Sequence, residues 1–113
     1  MGRGSGYLGE FEQMVLLAVL HLGEGAFAVE IARELEARAQ RRVSRGALYS
    51  SLERLERKGY LEWRLEEATS ARGGQPRRLF AATRAGVEAL RAAHAAWRRM
   101  SEGLEDVLEP GAP

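Results

Sequence analysis

The chain has 113 residues, a formal net charge of +1 and no cysteine. That length suits one domain with a modest core, and the missing cysteines exclude disulfide scaffolds, thiolate metal sites and cysteine nucleophiles. A near-neutral chain is not a generally basic protein, so any case for nucleic acid must rest on local charge.

Residues 1–6 are Gly-rich and basic, a composition expected of a disordered lead-in. Leu8 to Leu22 reads as a first helix, with Leu8, Phe11, Val15, Ala18 and Leu22 on one face. Met14, Leu16, Leu17, Val19 and Leu20 make the rest of it apolar as well. A helix apolar nearly all round has two things to pack against: its own domain and a partner chain. The longest apolar run, Met14 to Leu20, is far too short to span a bilayer, and the start lacks the long apolar region of a signal peptide. A cytoplasmic protein is expected.

Gly23-Glu24-Gly25 stops the first helix. The second spans Ala26 to Arg38, with Phe27, Ile31 and Leu35 in register and Glu30, Arg33 and Glu34 outside. After a loop from Ala39 to Val43, Ser44 can cap a third helix and Gly59 suits the left-handed residue that ends it. Leu48, Leu52 and Leu55 form its apolar stripe, while Gly46, Ser50, Glu53 and Arg57 share the opposite face, flanked by Tyr49 and Arg54. Arg38, Arg41, Arg42, Arg45, Arg54, Arg57 and Lys58 stand against only Glu53 and Glu56 in this region. Such a helix could be an ordinary amphipathic one, or one that enters a major groove.

The pattern then changes to a strand, Tyr60 to Glu66, with Leu61, Trp63 and Leu65 on one side. A turn-rich segment, Ala68 to Pro76, contains Arg72, Gly73 and Gly74. A return strand from Arg77 to Ala82 should place Leu79 inward beside Ala81. Strand, basic loop and strand make a hairpin whose arginines either keep an edge soluble or act as a DNA-contacting wing. Following a candidate recognition helix, the wing is the favoured reading. Thr83 should cap a last helix running from about Arg84 to about Leu108. Val87, Leu90, His94, Trp97, Ser101, Leu104 and Leu108 alternate by 3 and 4, a heptad seam that calls for self-association. Pro110 to Pro113 is expected to fray. The fold class is mainly α (α+β): a winged helix-turn-helix over residues 7–82, a dimerisation helix over 83–109 and a tail over 110–113. Neither His21 nor His94 has a partner for chemistry or a metal-ligand spacing, so both read as structural, with no cofactor, no metal and no enzyme expected.

Leu8-Gly-Glu-Phe-Glu, Ala26-Phe-Ala-Val-Glu-Ile31, Gly46-Ala-Leu-Tyr-Ser-Ser-Leu-Glu-Arg-Leu-Glu56, Lys58-Gly59, Arg72-Gly-Gly74 and Thr83-Arg-Ala-Gly86 together resemble the PadR family of transcriptional regulators, and the single long helix after the wing resembles its short subfamily. The resemblance implies a winged-helix homodimer, usually a repressor, on the double-stranded DNA of a palindromic operator, and a repressor released by a small aromatic effector or a stress signal is the expectation. It implies that the Ser44 helix is the recognition helix, that Tyr49 contacts the DNA backbone, and that Ser44, Ser50 and Arg54 share the exposed side. Arg42, in the loop before that helix, and Arg45, at its start, join the expected DNA-binding set. Arg72, Gly73, Gly74 and Arg77 correspond to the wing. Trp97 matches a tryptophan that holds small aromatic effectors in some short members, with Phe11, Met14 and Val15 as the opposite wall; it is equally readable as plain interface packing. The expected dimer interface comprises Val87, Leu90, His94, Trp97 and Leu104. Glu53 departs from the family pattern, and it either reads a cytosine amino group or holds Arg57 or Arg54; the intrahelical pairing is the expectation. A winged helix that dimerises and binds protein instead of DNA is the alternative, favoured by the near-neutral charge.

Overall fold

The computed structural model describes residues 7–67 and 75–111. Arg72, Gly73 and Gly74, and the two ends expected to be disordered or frayed, lie wholly or partly outside the described residues. Three helices come first: α1 (Glu10–Leu22), α2 (Ala28–Ala39) and α3 (Arg45–Arg57). An antiparallel hairpin follows, β1 (Leu61–Glu66) and β2 (Arg77–Ala82), and then α4 (Arg84–Ser101) and a four-residue α5 (Glu105–Leu108). This is a tri-helical unit with a wing and a C-terminal helix.

Each boundary has a local cause. Ser44 Oγ accepts the Ala47 amide at 3.1 Å and starts α3, and Thr83 Oγ1 accepts the Gly86 amide at 3.1 Å and starts α4. Gly59 ends the α3 turn at φ 81°, a conformation that costs glycine nothing. The three helices close around Val15, Leu16, Val19, Ile31, Leu35, Leu48, Leu52 and Leu55, all buried, with Leu61, Leu79 and Phe80 from the hairpin.

The hairpin pairs Leu61 with Ala82 through Glu66 with Arg77. Within β1 only Leu61 is buried; Trp63 is half-buried and Leu65 is exposed, because the strand runs outward past the edge of the core. In β2 the expectation of Leu79 beside Ala81 is half met. Leu79 and Phe80 are both buried and Ala81 is exposed. Consecutive burial arises because β2 is covered on both faces near its middle. The Phe80 amide also donates to the Ala26 carbonyl at 2.9 Å, so the α1–α2 connection lies along the open edge of β2.

The last helix is shorter than the heptad spacing predicts. It ends at Ser101, and Gly103 adopts φ 84° before α5 begins. A left-handed residue redirects the chain, so Leu104 and Leu108 do not continue the stripe of Val87, Leu90 and Trp97 on one straight helix. Leu90, moreover, belongs to the chain's own core, at 8% exposure.

The start of α4 is fixed by a close approach to the end of α3. Thr83 donates its amide to the Tyr60 carbonyl at 3.1 Å and its hydroxyl to the Gly59 carbonyl at 2.6 Å. A Cβ on Gly86 would lie 2.3 Å from the Tyr60 carbonyl oxygen. Nothing larger than glycine fits without moving backbone. Gly86→Ala is therefore expected to destabilise the fold by at least about 1–3 kcal/mol, the usual range for overpacking, and urea unfolding would measure it. Thr83→Ala, which removes only the cap, should cost about 1 kcal/mol.

Candidate nucleic-acid interface

Helix α3 buries Leu48, Ser51, Leu52 and Leu55 and turns Arg45, Gly46, Ser50, Glu53 and Arg57 outward. The outward set is an open face of small, hydroxylated and charged side chains. Tyr49 sits at its border, half-buried, beside a shallow groove of about 370 Å³ between α2 and α3 that Arg42, Ser44 and Arg45 also line.

The arginines of the region divide by partner. Arg45 and Arg57 carry no ion pair among the described residues and project into solvent. Arg42 lies 3.5 Å from Glu36, with side chains 87% and 57% exposed; an exposed pair of this kind is weak and readily exchanged for a phosphate. Arg54 is different. Its Nε donates to Glu12 Oε2 at 3.2 Å and its Nη2 to Ser51 Oγ at 3.0 Å. Arg77 stacks 3.8 Å over the Phe27 ring and lies 3.6 Å from Glu30, so it braces the hairpin against α2. Arg78 stacks 4.4 Å over Trp63, whose indole N–H donates to Glu56 at 3.1 Å. Arg42, Ser44, Arg45, Tyr49 and Ser50 thus gather at one end and face of α3. Arg54 and Arg77 turn to internal partners.

What holds α3 in place is a residue that sequence reasoning did not single out. Glu12 on α1 is 4% exposed, yet it is charged. Its carboxylate accepts from Lys58 Nζ at 2.8 and 3.0 Å, from the Gly9 amide at 2.9 Å and from Arg54. Lys58 also donates to the Tyr7 carbonyl at 2.6 Å. Burial by itself would raise the carboxyl pKa, but the Lys58, Gly9 and Arg54 donors outweigh it and hold Glu12 below its ordinary value. The signal was in the sequence: Glu12 stands third in α1, where a carboxylate reaches back to the capping residue. That role did not by itself announce the second one, gripping α3.

The residues expected around an effector separate. Val15 is fully buried in the core, Phe11 packs under Arg41 with the guanidinium 5.3 Å from its ring, and Met14 faces Leu35 and Arg38. None of these three borders Trp97. The groove that Trp97 does border is about 530 Å³, open, and lined by Gln13, Leu17 and Leu20 of α1 and Val87, Leu90, Arg91 and His94 of α4. Leu17, Leu20 and Trp97 are 48%, 47% and 63% exposed, a continuous apolar strip uncovered in the monomer. The hint here was a first helix with leucines on every side. Among the described residues no helix is long and apolar enough to cross a membrane, and no three acidic or histidine side chains cluster as for a metal.

Comparison with known proteins agrees with the fold. Residues 16–92 match the model of the PadR-like family of transcriptional regulators. A PadR-like transcription factor from Bacteroides fragilis superposes with a TM-score of 0.68 at 28% identity, covering 86% of this chain and 88% of that one. A PadR family regulator from Eggerthella lenta gives 0.65 at 26% identity, covering 90% and 88%. A PadR-like regulator from Bacillus cereus gives 0.69 at 24% identity, over 88% and 91%, a likeness of fold. No curated protein sequence matches the chain.

The Glu12 grip has a pH signature. A carboxyl whose folded pKa is depressed contributes stability above its unfolded pKa and loses it as pH falls through the folded value. Wild type should therefore hold a Glu12-dependent increment at neutral pH and lose it below about pH 4.5, the ordinary carboxyl value. Glu12→Gln should be less stable by about 1–3 kcal/mol at neutral pH, with the gap narrowing as acid is added. Urea midpoints from pH 7 to 3 test this, and a gap independent of pH would remove the charge from the explanation.

Proposed function

Since the chain belongs to the PadR-like family of transcriptional regulators, it is a DNA-binding regulator and not an enzyme, and we propose that it acts in the cytoplasm as a homodimeric repressor on a palindromic operator, released by a small aromatic effector. The observation that carries the DNA part is the open outer face of α3, where Arg45 and Arg57 have no ion pair among the described residues and Ser50 lies between them. Arginines not held by an internal partner cost little to place on phosphates, and each phosphate neutralised releases counterions. Ser44, Arg42 and Tyr49 border the same face, positioned for backbone contacts that fix the helix in its groove. Arg72 and Gly73 of the wing would add sequence-independent contacts.

Support for the dimer comes from the uncovered strip of Leu17, Leu20 and Trp97. A second copy presenting the same strip would bury it isologously, with Val87 and His94 at its margin. Leu90 would lie beneath that interface and Leu104 beyond the bend at Gly103. Two α3 helices about 34–36 Å apart would then read two half-sites one DNA turn apart. An aromatic effector would fit the groove against the Trp97 ring, and any change it makes in the spacing of the helices becomes a change in operator affinity.

Two measurements test this. Arg45→Ala and Arg57→Ala should each weaken binding to all DNA, and each should lower the salt slope by about 0.9, the increment for one phosphate no longer neutralised. Unchanged slopes in both would take α3 off the DNA. Leu20→Glu places a charge on the exposed strip without entering the core. It should turn a sedimenting dimer into a monomer and lose operator affinity, because a palindrome is held by two helices at once. A wild type that sediments as a monomer at micromolar concentration would sink the dimer and the palindrome together.

A further inference from the structure

Glu53 is the only carboxylate on the outward line of α3 formed by Gly46, Ser50, Glu53 and Arg57. The intrahelical pairing expected of it is not made. Arg54 is engaged by Glu12 and Ser51, and no ion pair joins Glu53 to Arg57 among the described residues. An acid is left exposed in the middle of the surface that meets DNA. On a face directed at phosphates such a charge is repelled, so it is tolerated where it points at the floor of the groove instead.

We infer that Glu53 is a specificity-determining residue that selects a cytosine in each half-site of the operator, a role that rests on α3 being the helix that meets DNA. A carboxylate only accepts hydrogen bonds. In the major groove guanine offers N7 and O6 and thymine O4, all acceptors, so neither can satisfy it. Adenine offers its N6 amino group but places the N7 acceptor beside it. Cytosine offers the N4 amino group with no competing acceptor on that edge, and it is the base whose donor suits Glu or Asp.

The spacing fits a base next to the one Ser50 faces. Three residues of helix advance about 4.5 Å, while successive base pairs are about 3.4 Å apart. Ser50, whose hydroxyl both donates and accepts, can accommodate any base. Glu53, which cannot donate, imposes a choice. The same charge lowers affinity for DNA that lacks the cytosine, which widens the gap between operator and bulk sequence.

Selection of bound DNA from a random pool tests the assignment, run with wild type, Glu53→Ala and Glu53→Gln. Glu53 is exposed, so neither variant threatens the fold. Wild type should enrich a symmetric motif with cytosine at one position per half-site. Glu53→Ala should flatten that position alone, losing roughly tenfold discrimination against the other bases, and bind unselected DNA more tightly. Glu53→Gln, able to donate to N7 and accept from N6, should shift the preference toward adenine. If Glu53→Ala keeps the wild-type motif at every position, or gains affinity uniformly with no change of preference, Glu53 reads no base. If wild type enriches no motif at all, the DNA-binding reading of α3 fails with it; a motif that persists in Glu53→Ala while Arg45→Ala weakens binding to all DNA isolates the failure to Glu53.

Discussion

The buried carboxylate of Glu12 is the constraint on which the orientation of α3 depends. It stands on α1, is 4% exposed, and takes donors from the start of its own helix and from two side chains of the α3 region, Arg54 and Lys58. Apolar packing between α1 and α3 is non-directional and would tolerate some sliding of one helix along the other. A charge desolvated between two helices does not, because any slide that breaks its bonds leaves it unpaired at a cost of several kcal/mol. Packing supplies the cohesion, and the ion cluster fixes the register.

Because of that arrangement α1 has three working sides. Val15, Leu16 and Val19 enter the core, Glu12 grips α3, and Leu17 and Leu20 line the groove beside Trp97. The groove and α3 are thus attached to one rigid element about 20 Å long. A rotation of α1 that re-seats Leu17 and Leu20 also moves Glu12. The close approach of Gly86 to the Tyr60 carbonyl anchors α4 beside the same C-terminal end of α3.

Charge is distributed by the same logic. The net charge of +1 hides a sorting of arginines into those consumed by the fold and those left over. Arg54 and Arg77 brace Glu12 and Glu30, and Arg41 covers Phe11 while reaching Glu10 at 3.3 Å. On the outer side of α3, Arg45 and Arg57 are left without an ion pair among the described residues, with Arg42 loosely held. A surface can be electrostatically suited to DNA in a protein with almost no net charge when the acids are spent on internal pairs.

The sequence by itself determined what depends on neighbours along the chain. Helical periodicity placed α1, α2 and α3, the Ser44 and Thr83 hydroxyls marked two helix starts, and Gly59 marked the stop, because caps and apolar stripes are short-range requirements. The outward line of Gly46, Ser50, Glu53 and Arg57 followed from the same periodicity, as did the family resemblance from the order of short motifs. Only the tertiary structure decided which partner each charge takes. Arg54 and Glu53 are adjacent and both face outward by angle, yet one is drawn to a carboxylate 42 residues away and the other is left on the open face. It also decided that Leu90 is core while Trp97 is not, that Gly103 ends the seam, and that Leu17 and Leu20 face Trp97 where Phe11, Met14 and Val15 do not. Periodicity gives the angle of a side chain about its own helix, but the element lying across from that angle is set by long-range packing, which no local pattern encodes.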